Sequence, residues 1–244
     1  MNVAIIRYLT ECSLKRLVRN KYNILVEAFL LCFGLLILLG SSFAQPLLST
    51  PPLYTLFIVV GFLMFLSFNA GAKIGVHFIL LKNQGFLQEL CSAPASAVEK
   101  IIGLVGGTFI VLLIQATVLI AAVPYLTSTP ISIMQAIAGY VIVTVTLFSA
   151  CFFGLFFSSK TESPQLLSIS MGLLGATQFG FNGLLLSFKD APLVALNPFS
   201  YVADFFLYAT GNAQNYPLTL DVAVACILLI VTGYLAKITM EKTE

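Results

Sequence analysis

The stretch that decides the fold is residues 101–159, which read IIGLVGGTFIVLLIQATVLIAAVPYLTSTPISIMQAIAGYVIVTVTLFSACFFGLFFSS. These 59 residues contain no Asp, Glu, Lys or Arg, and residues 28–72 form a second run of 45 residues without them. A charge at the centre of an inserting helix costs roughly 2.5–3.5 kcal/mol, so charge-free runs of this length are typical of segments that lie in hydrocarbon. The sequence therefore predicts a protein whose solvent is lipid.

The whole chain has the composition of a polytopic membrane protein. Its 244 residues are 59% hydrophobic and 9% charged, with a mean hydropathy of +1.01, whereas soluble domains carry about 25% charged residues. A helix needs about 20 apolar residues to cross a core about 30 Å thick, so this length allows about six spans in one domain over residues 1–244. A transmembrane β-barrel would alternate apolar and polar residues, whereas residues 29–39 are apolar throughout. The predicted fold class is an all-α integral membrane protein.

The apolar runs place six transmembrane helices. They are predicted at residues 24–44, 53–81, 101–123, 131–157, 166–187 and 218–236. With sides alternating, one face carries 11 of the 12 Lys and Arg residues, and only Lys189 lies on the other face. By the positive-inside rule the first face is cytoplasmic, so both termini are predicted on the inner side of the cell membrane.

Residues 1–23, which precede the first span, read as an amphipathic interfacial helix. Arg7, Glu11 and Lys15 form one i,i+4 row. The apolar residues that gather on the other side are Ile5, Ile6, Leu9, Cys12 and Leu17, with Arg16 as the main exception. We expect this helix to lie in the cytoplasmic interface, with its cations, including Arg16 and Arg19, near anionic lipid. The alternative is a solvated helix whose cations only fix the topology.

The cytoplasmic loop of residues 82–100 contains a short apolar helix face. Phe86, Leu87 and Leu90 can share one face, and Pro94 ends that helix. The segment 96–99, Ser-Ala-Val-Glu, then matches a capping box that opens the third span. Such a helix suits contact with another protein, although a helix lying on the membrane surface fits the periodicity equally well.

The external segment of residues 188–217 and the fifth span carry the remaining polar signals. Residues 198–208 are predicted to form a short helix that re-enters the outer leaflet or lies along it, with Pro198 at its first position. In the fifth span, Thr177, Gln178 and Asn182 could line a substrate route, while helix packing through interhelical hydrogen bonds is the default interpretation. The motifs Gly71-x-x-x-Gly75 and Gly103-x-x-x-Gly107 are packing signals of low specificity.

The chain offers little chemistry of its own. It has one histidine, His77, no G-x-x-x-x-G-K-[ST] motif, and five scattered cysteines without paired spacing. We therefore predict no catalytic residue, no metal site, no cofactor bound by this chain and no nucleic-acid partner. Glu27 and Asp221 are expected near span ends and Asp204 in the external segment, which argues against a proton relay through the bundle.

These features, in this order, resemble the membrane (permease) subunit of ABC-2 type ABC transporters. Residues 85–90, Gly-Phe-Leu-Gln-Glu-Leu, followed by 93–96, Ala-Pro-Ala-Ser, are similar to the family's G-T-L-E-x-L…P-x-S coupling helix. Residues 197–201, Asn-Pro-Phe-Ser-Tyr, with Asp204 are similar to its external N-P-x-x-Y-x-x-D element. The sequence departs from the family pattern at Phe86, Gln88 and Leu207, which stand for threonine, glutamate and arginine, and at residues 82–84, which replace acidic residues.

The resemblance implies a function and a set of contacts. Two copies of the chain, or this chain with a homologue, would form an export pathway powered by two cytoplasmic ATPase subunits that carry ATP and Mg. The implied ATPase contacts are Gly85, Phe86, Leu87, Glu89 and Leu90, and the implied external element comprises Asn197, Pro198, Tyr201 and Asp204. Because the expected pathway has few polar groups and no buried charge, a lipophilic small molecule, lipid or peptide is the preferred substrate. The alternative is a non-transporting membrane scaffold or assembly subunit.

Overall fold

The computed structural model describes residues 3–44, 51–84, 96–127, 131–180, 192–210 and 216–241. All regular structure in these ranges is helical, which confirms the predicted fold class. The helices are α1 (Val3–Arg19), α2 (Lys21–Ala44), α3 (Pro51–Asn83), α4 (Ala97–Thr127), α5 (Ile133–Ser158), α6 (Pro164–Gly180), α7 (Pro192–Ala195), α8 (Pro198–Thr210) and α9 (Leu218–Glu241).

Four of the described helices are long and apolar enough to cross a membrane by themselves. The candidate spans are Ile58–Asn83 in α3, Ala97–Leu126 in α4, Ile133–Ser158 in α5 and Leu218–Thr239 in α9. A fifth candidate is the pair Val3–Arg19 and Ile24–Gly40, which bends by 81° between α1 and α2. The described part of α6 has 17 residues. The chain is therefore a multi-pass membrane protein.

Helix α3 is the centre of the bundle. In the most apolar 18-residue stretch of its candidate span 83% of the residues are buried, compared with 28% in the corresponding stretch of α4 and 17% in that of α9. It packs mainly against α5 and α6. Its Gly71 and Gly75 lie against Ala150 and Gly154 of α5, where a Cβ atom at Gly75 would come within 2.5 Å of the Gly154 carbonyl oxygen. Small residues thus let the two backbones approach closely, as the glycine spacing predicts.

Helix α1 lies against the first half of α4. Gly103, Gly106 and Gly107 form a shallow groove on α4, and the groove is occupied by Leu9, Thr10 and Ser13 of α1. The Ser13 hydroxyl also donates a hydrogen bond of 3.1 Å to the Leu104 carbonyl oxygen.

The face by which α1 packs is largely the predicted apolar face. Four of its five predicted residues are half-buried, namely Ile5, Ile6, Leu9 and Leu17, whereas Cys12 is exposed. Thr10 and Ser13 also pack against α4. A groove made of glycines accepts small side chains close to the backbone, so these two residues extend the packing face beyond its apolar members.

The start of α4 carries the predicted capping box. The Ser96 backbone N–H donates to Glu99 Oε2 at 2.9 Å, and the Glu99 backbone N–H donates to Ser96 Oγ at 3.3 Å. These reciprocal bonds satisfy two backbone donors at the helix start, which fixes where α4 begins.

Candidate functional site

Polar side chains of three helices meet near the bend between α1 and α2. Glu27 of α2 forms an ion pair with Lys73 of α3, and their side chains are 20% and 21% exposed. Gln115 of α4 donates through Nε2 to Glu27 Oε2 at 2.7 Å and to the Glu27 carbonyl oxygen at 3.3 Å. We call Glu27, Lys73 and Gln115 the ion-pair cluster, which ties α2, α3 and α4 together.

A second contact joins the end of α1 to α3. The guanidinium of Arg16 contacts the imidazole of His77 through its Nη1 atom. Burial lowers the pKa of Arg16 below its usual value, because a partly desolvated site disfavours the charged form. The bend between α1 and α2 is thus attached to α3 at two points, one on each side of Asn20.

Sequence reasoning missed both contacts. It expected Glu27 near a span end and noted His77 as the one histidine, and it gave neither of them a partner. A cation and a carboxylate that both lie inside long apolar helices need compensating partners, and this was the available signal.

Two clefts open at the same bend. The inner cleft has a volume of about 360 Å³, and its polar lining residues include Ser13, Arg16, Asn20, Asn69, Lys73 and His77. The outer cleft, of about 500 Å³, is lined by Cys12, Lys15, Arg16, Arg19 and Asn20. Of the four cations predicted to lie at the interface, three therefore line one cleft. The fourth, Arg7, is paired with Glu11 at 3.0 Å.

The external element is connected to the fifth predicted span. Asn197 Nδ2 donates to Gln178 Oε1 of α6 at 2.6 Å, and Asn197 Oδ1 accepts the backbone N–H of Phe199 at 3.1 Å. The second bond is an Asx turn that starts α8, with Pro198 as its first helical residue, as predicted. The edge of the Phe199 ring packs against Phe68 of α3, with the ring centroids 5.1 Å apart.

Two of the three polar residues predicted in the fifth span, Thr177 and Gln178, have separate hydrogen-bond partners in the structure. Gln178 is buried and bonded to Asn197. Thr177 is exposed, and its hydroxyl donates to the Leu174 carbonyl oxygen of its own helix at 2.7 Å. Asn182 lies outside the described residues, so its predicted place beside Gln178 stays a prediction.

Tyr201 and Asp204 join α8 to the start of α9. The Tyr201 hydroxyl donates to the Ala195 carbonyl oxygen at 3.0 Å, and its ring stacks on Tyr216 with the centroids 4.9 Å apart. Asp204 is 1% exposed and accepts the backbone N–H of Tyr216 through Oδ2 at 3.1 Å. The polar residues of the N-P-x-x-Y-x-x-D element thus link α8 to α6, to α7 and to the residues just before α9.

Asp221 in the first turn of α9 is the unexpected member of this region. It is 1% exposed, and neither of its carboxyl oxygens has a hydrogen-bond partner in the part of the chain that the structure describes. Burial, a hydrogen bond with Tyr216 and the nearby charge of Asp221 raise the pKa of Tyr201, so this phenol keeps its proton and remains a donor. The sequence analysis predicts that Asp221 lies near a span end and that the pathway contains no buried charge. Asp221 does lie in the first turn of α9, but the packing of the surrounding helices buries its side chain.

The predicted coupling residues Gly85, Phe86, Leu87, Glu89 and Leu90 lie outside the described residues. Their expected contact with an ATPase therefore stays a prediction. Within the described ranges, no group of three or more His, Cys, Asp or Glu side chains is arranged to hold a metal ion.

A comparison with protein families identifies the architecture. The sequence model described as ABC-2 type transporter matches residues 5–210. The chain belongs to the ABC-2 type transporter family. The match covers the chain from α1 to the end of α8, including the predicted coupling segment and the external element. No curated protein matched the sequence. Permeases of the ABC-2 family are transmembrane components without catalytic activity of their own, and they work with ABC ATPase partners.

Proposed function

We propose that this ABC-2 protein is the permease subunit of an exporter for a lipophilic small molecule, lipid or peptide. The observation that carries the proposal is the family match over residues 5–210, which runs without a break from α1 to α8. Glu27 and Lys73, which lie within apolar helices, neutralise each other, and this compensation between α2 and α3 supports a lipophilic substrate. A strongly charged solute would need compensating groups along its route.

The proposed topology has six spans, α2 to α6 and α9, with α1 lying in the cytoplasmic interface. The 81° bend after α1 supports the separation of α1 from the span α2. The excess of Lys and Arg on one face supports a cytoplasmic location for both termini in the cell membrane.

The proposed energy source is a pair of separate cytoplasmic ATPase subunits that bind ATP and Mg, working on two copies of this chain or on this chain with a homologue. The coupling segment of residues 85–95 connects α3, the central helix, with α4, which carries α1 in its glycine groove. A displacement of this segment would act on both helices at once. Closure of the ATPases would then shift the bundle between inward and outward states.

The experiment that tests the proposal is purification from native membranes with identification of the proteins that accompany the chain. We expect a P-loop ATPase whose hydrolysis depends on the permease. Leu87→Asp and Leu90→Asp should uncouple hydrolysis from the permease, because a charge is placed on the predicted contact face. Leu196→Asp is the matched control, since Leu196 is 78% exposed between α7 and α8, at the other end of the bundle.

Two results would contradict the proposal. One is recovery of the chain alone or only with partners that bind no nucleotide, which would favour the scaffold alternative. The other is ATPase activity that is insensitive to the coupling-segment substitutions.

A further inference from the structure

We propose that the bend between α1 and α2 binds the phosphate group of an anionic phospholipid, with Arg16 and His77 as its principal ligands. The location in the inner leaflet rests on the proposed topology of α1. The binding itself does not depend on transport or on an ATPase, so it can be tested on the permease alone.

The first argument is the contact between two basic groups. The guanidinium of Arg16 contacts the imidazole of His77, and no Asp or Glu side chain bonds to either group among the residues that the structure describes. A guanidinium is always charged and has five N–H donors, of which the contact with His77 engages only the Nη1 nitrogen. An anion at this point would accept from the guanidinium N–H groups that His77 does not engage and from a ring N–H of His77.

The second argument is the distribution of charge along α1. Arg7 is neutralised by Glu11, so the first half of the helix carries a compensated pair. Lys15, Arg16 and Arg19 have no acidic partner in the described ranges, and all three line the outer cleft. The positive charge is therefore concentrated at the bend, where a phosphate diester would bind the guanidinium of Arg16 and lie close to the cations of Lys15 and Arg19.

The third argument is the shape of the site, which favours a lipid over a free phosphate. The inner cleft shares Arg16 and Asn20 with the outer cleft, and its wall includes apolar side chains such as Leu17. Leu17 also lines a separate, almost wholly apolar cavity of about 250 Å³ that reaches Leu31 and Ile114. A headgroup at Arg16 would thus have room for an acyl chain alongside, which a soluble anion does not need.

The test uses the absence of tryptophan from the chain. Tyr22→Trp places one reporter at an exposed position at the start of α2, close to the bend. The full-length protein is placed in phosphatidylcholine vesicles, without any other protein, in which a fixed fraction of the lipid has brominated acyl chains and is either phosphatidylglycerol or phosphatidylcholine. We expect stronger quenching by the brominated phosphatidylglycerol, because the anionic headgroup is enriched at Arg16.

The substitutions distinguish specific binding of the phospholipid at Arg16 from nonspecific attraction of anionic lipid to the positive charge of α1. Arg16→Gln should lower the apparent affinity for phosphatidylglycerol about five- to tenfold, since it removes both a charge and a bidentate donor. Arg16→Lys keeps the charge without the fork, so we expect an intermediate loss. Arg7→Gln is the matched control, because it removes the same charge from the same helix outside both clefts, and it should leave the preference unchanged.

Each remaining outcome is decisive. Equal quenching by the two lipids in the Tyr22→Trp protein overturns the proposal, even if the arginine variants fail to fold. An equal loss in Arg7→Gln and Arg16→Gln also overturns it, because the effect would then be nonspecific surface charge. Inorganic phosphate at millimolar concentration should compete only weakly, and complete displacement of the lipid by phosphate would show that the site takes the free anion instead.

Discussion

Substituting Gly107 by alanine should detach α1 from α4 while leaving the rest of the bundle intact. A Cβ atom at this position would lie 2.7 Å from the backbone nitrogen of Leu14 and 2.7 Å from Ser13 Oγ. Ordinary contact begins at 3.4 Å, so α1 would have to move outward by about 0.7 Å. The backbone of Leu14 cannot turn away as a flexible side chain could, and the whole helix must therefore shift.

The expected size of the effect follows from three contributions. Overpacking of a well-fitted contact typically costs about 1–3 kcal/mol. The shift also weakens the hydrogen bond between Ser13 and the Leu104 carbonyl, which contributes about 1 kcal/mol. The higher helix propensity of alanine stabilises α4 by roughly 0.5–1 kcal/mol, which offsets part of this cost. We therefore expect the docking of α1 to weaken by about 1–3 kcal/mol, which corresponds to a change of about 5- to 150-fold in an equilibrium constant.

Hydrogen–deuterium exchange of the purified protein measures this prediction directly. Amides of α1 should exchange faster by about 5- to 150-fold in Gly107→Ala, because exchange follows the population of the undocked helix. Amides of α3 should keep their protection. Gly172→Ala is the matched control, since a Cβ atom at Gly172 meets nothing within 4 Å and should change neither helix. Unchanged exchange in α1, or an equal increase in α3, would refute the reasoning.

Three further predictions concern the polar contacts and can be measured as thermal unfolding midpoints by circular dichroism in detergent. Lys73→Met leaves the Glu27 carboxylate without its cation and should destabilise the protein by about 2 kcal/mol. Adding Glu27→Gln to this variant should recover part of the lost stability. If the destabilisation by the double substitution equals the sum of the two single ones, the ion pair is contradicted. Asp221→Asn should raise the unfolding midpoint, because it removes a buried carboxyl group that has no hydrogen-bond partner in the described residues. Asp204→Ala should lower the midpoint, because it leaves the backbone N–H of Tyr216 unpaired. A shift of both midpoints in the same direction would contradict the different roles given to the two carboxyl groups. Asn197→Ala should destabilise the protein by about 1–3 kcal/mol, because the buried amide oxygen of Gln178 loses the Asn197 N–H that donates to it. An unchanged unfolding midpoint would show that a water molecule replaces this donor.

The sequence predicts the helices of this protein well because their causes are local. A charge-free run in lipid has to satisfy its backbone within one segment, so length and composition are enough to predict a helix. The ends are set by equally local chemistry, as the capping box at Ser96 and Glu99 and the first-turn proline at Pro198 demonstrate. The count of six spans is not established in the same way, because α2 is a candidate span only together with α1 and the described part of α6 has 17 residues.

The cross-helix contacts could not be predicted in the same way. Glu27 meets a lysine 46 residues away and a glutamine 88 residues away, and Arg16 meets a histidine 61 residues away. Nothing in the local pattern specifies which of these distant residues will meet. The residue types nevertheless indicated that partners must exist, because a charge in an apolar helix is stable only when it is compensated.

The packing of α1 shows how far hydrophobic periodicity identifies the face of a helix that meets its neighbour. The half-buried residues of α1 include four that the period of the sequence places on the apolar face, namely Ile5, Ile6, Leu9 and Leu17. Where α4 presents glycines, small polar side chains also permit a close approach of the backbones. Thr10 and Ser13 therefore lie in the groove at Gly106 and Gly107, while Cys12 is exposed. In this chain the apolar period thus identifies most of the packing face, and the small residues beside the glycine groove complete it.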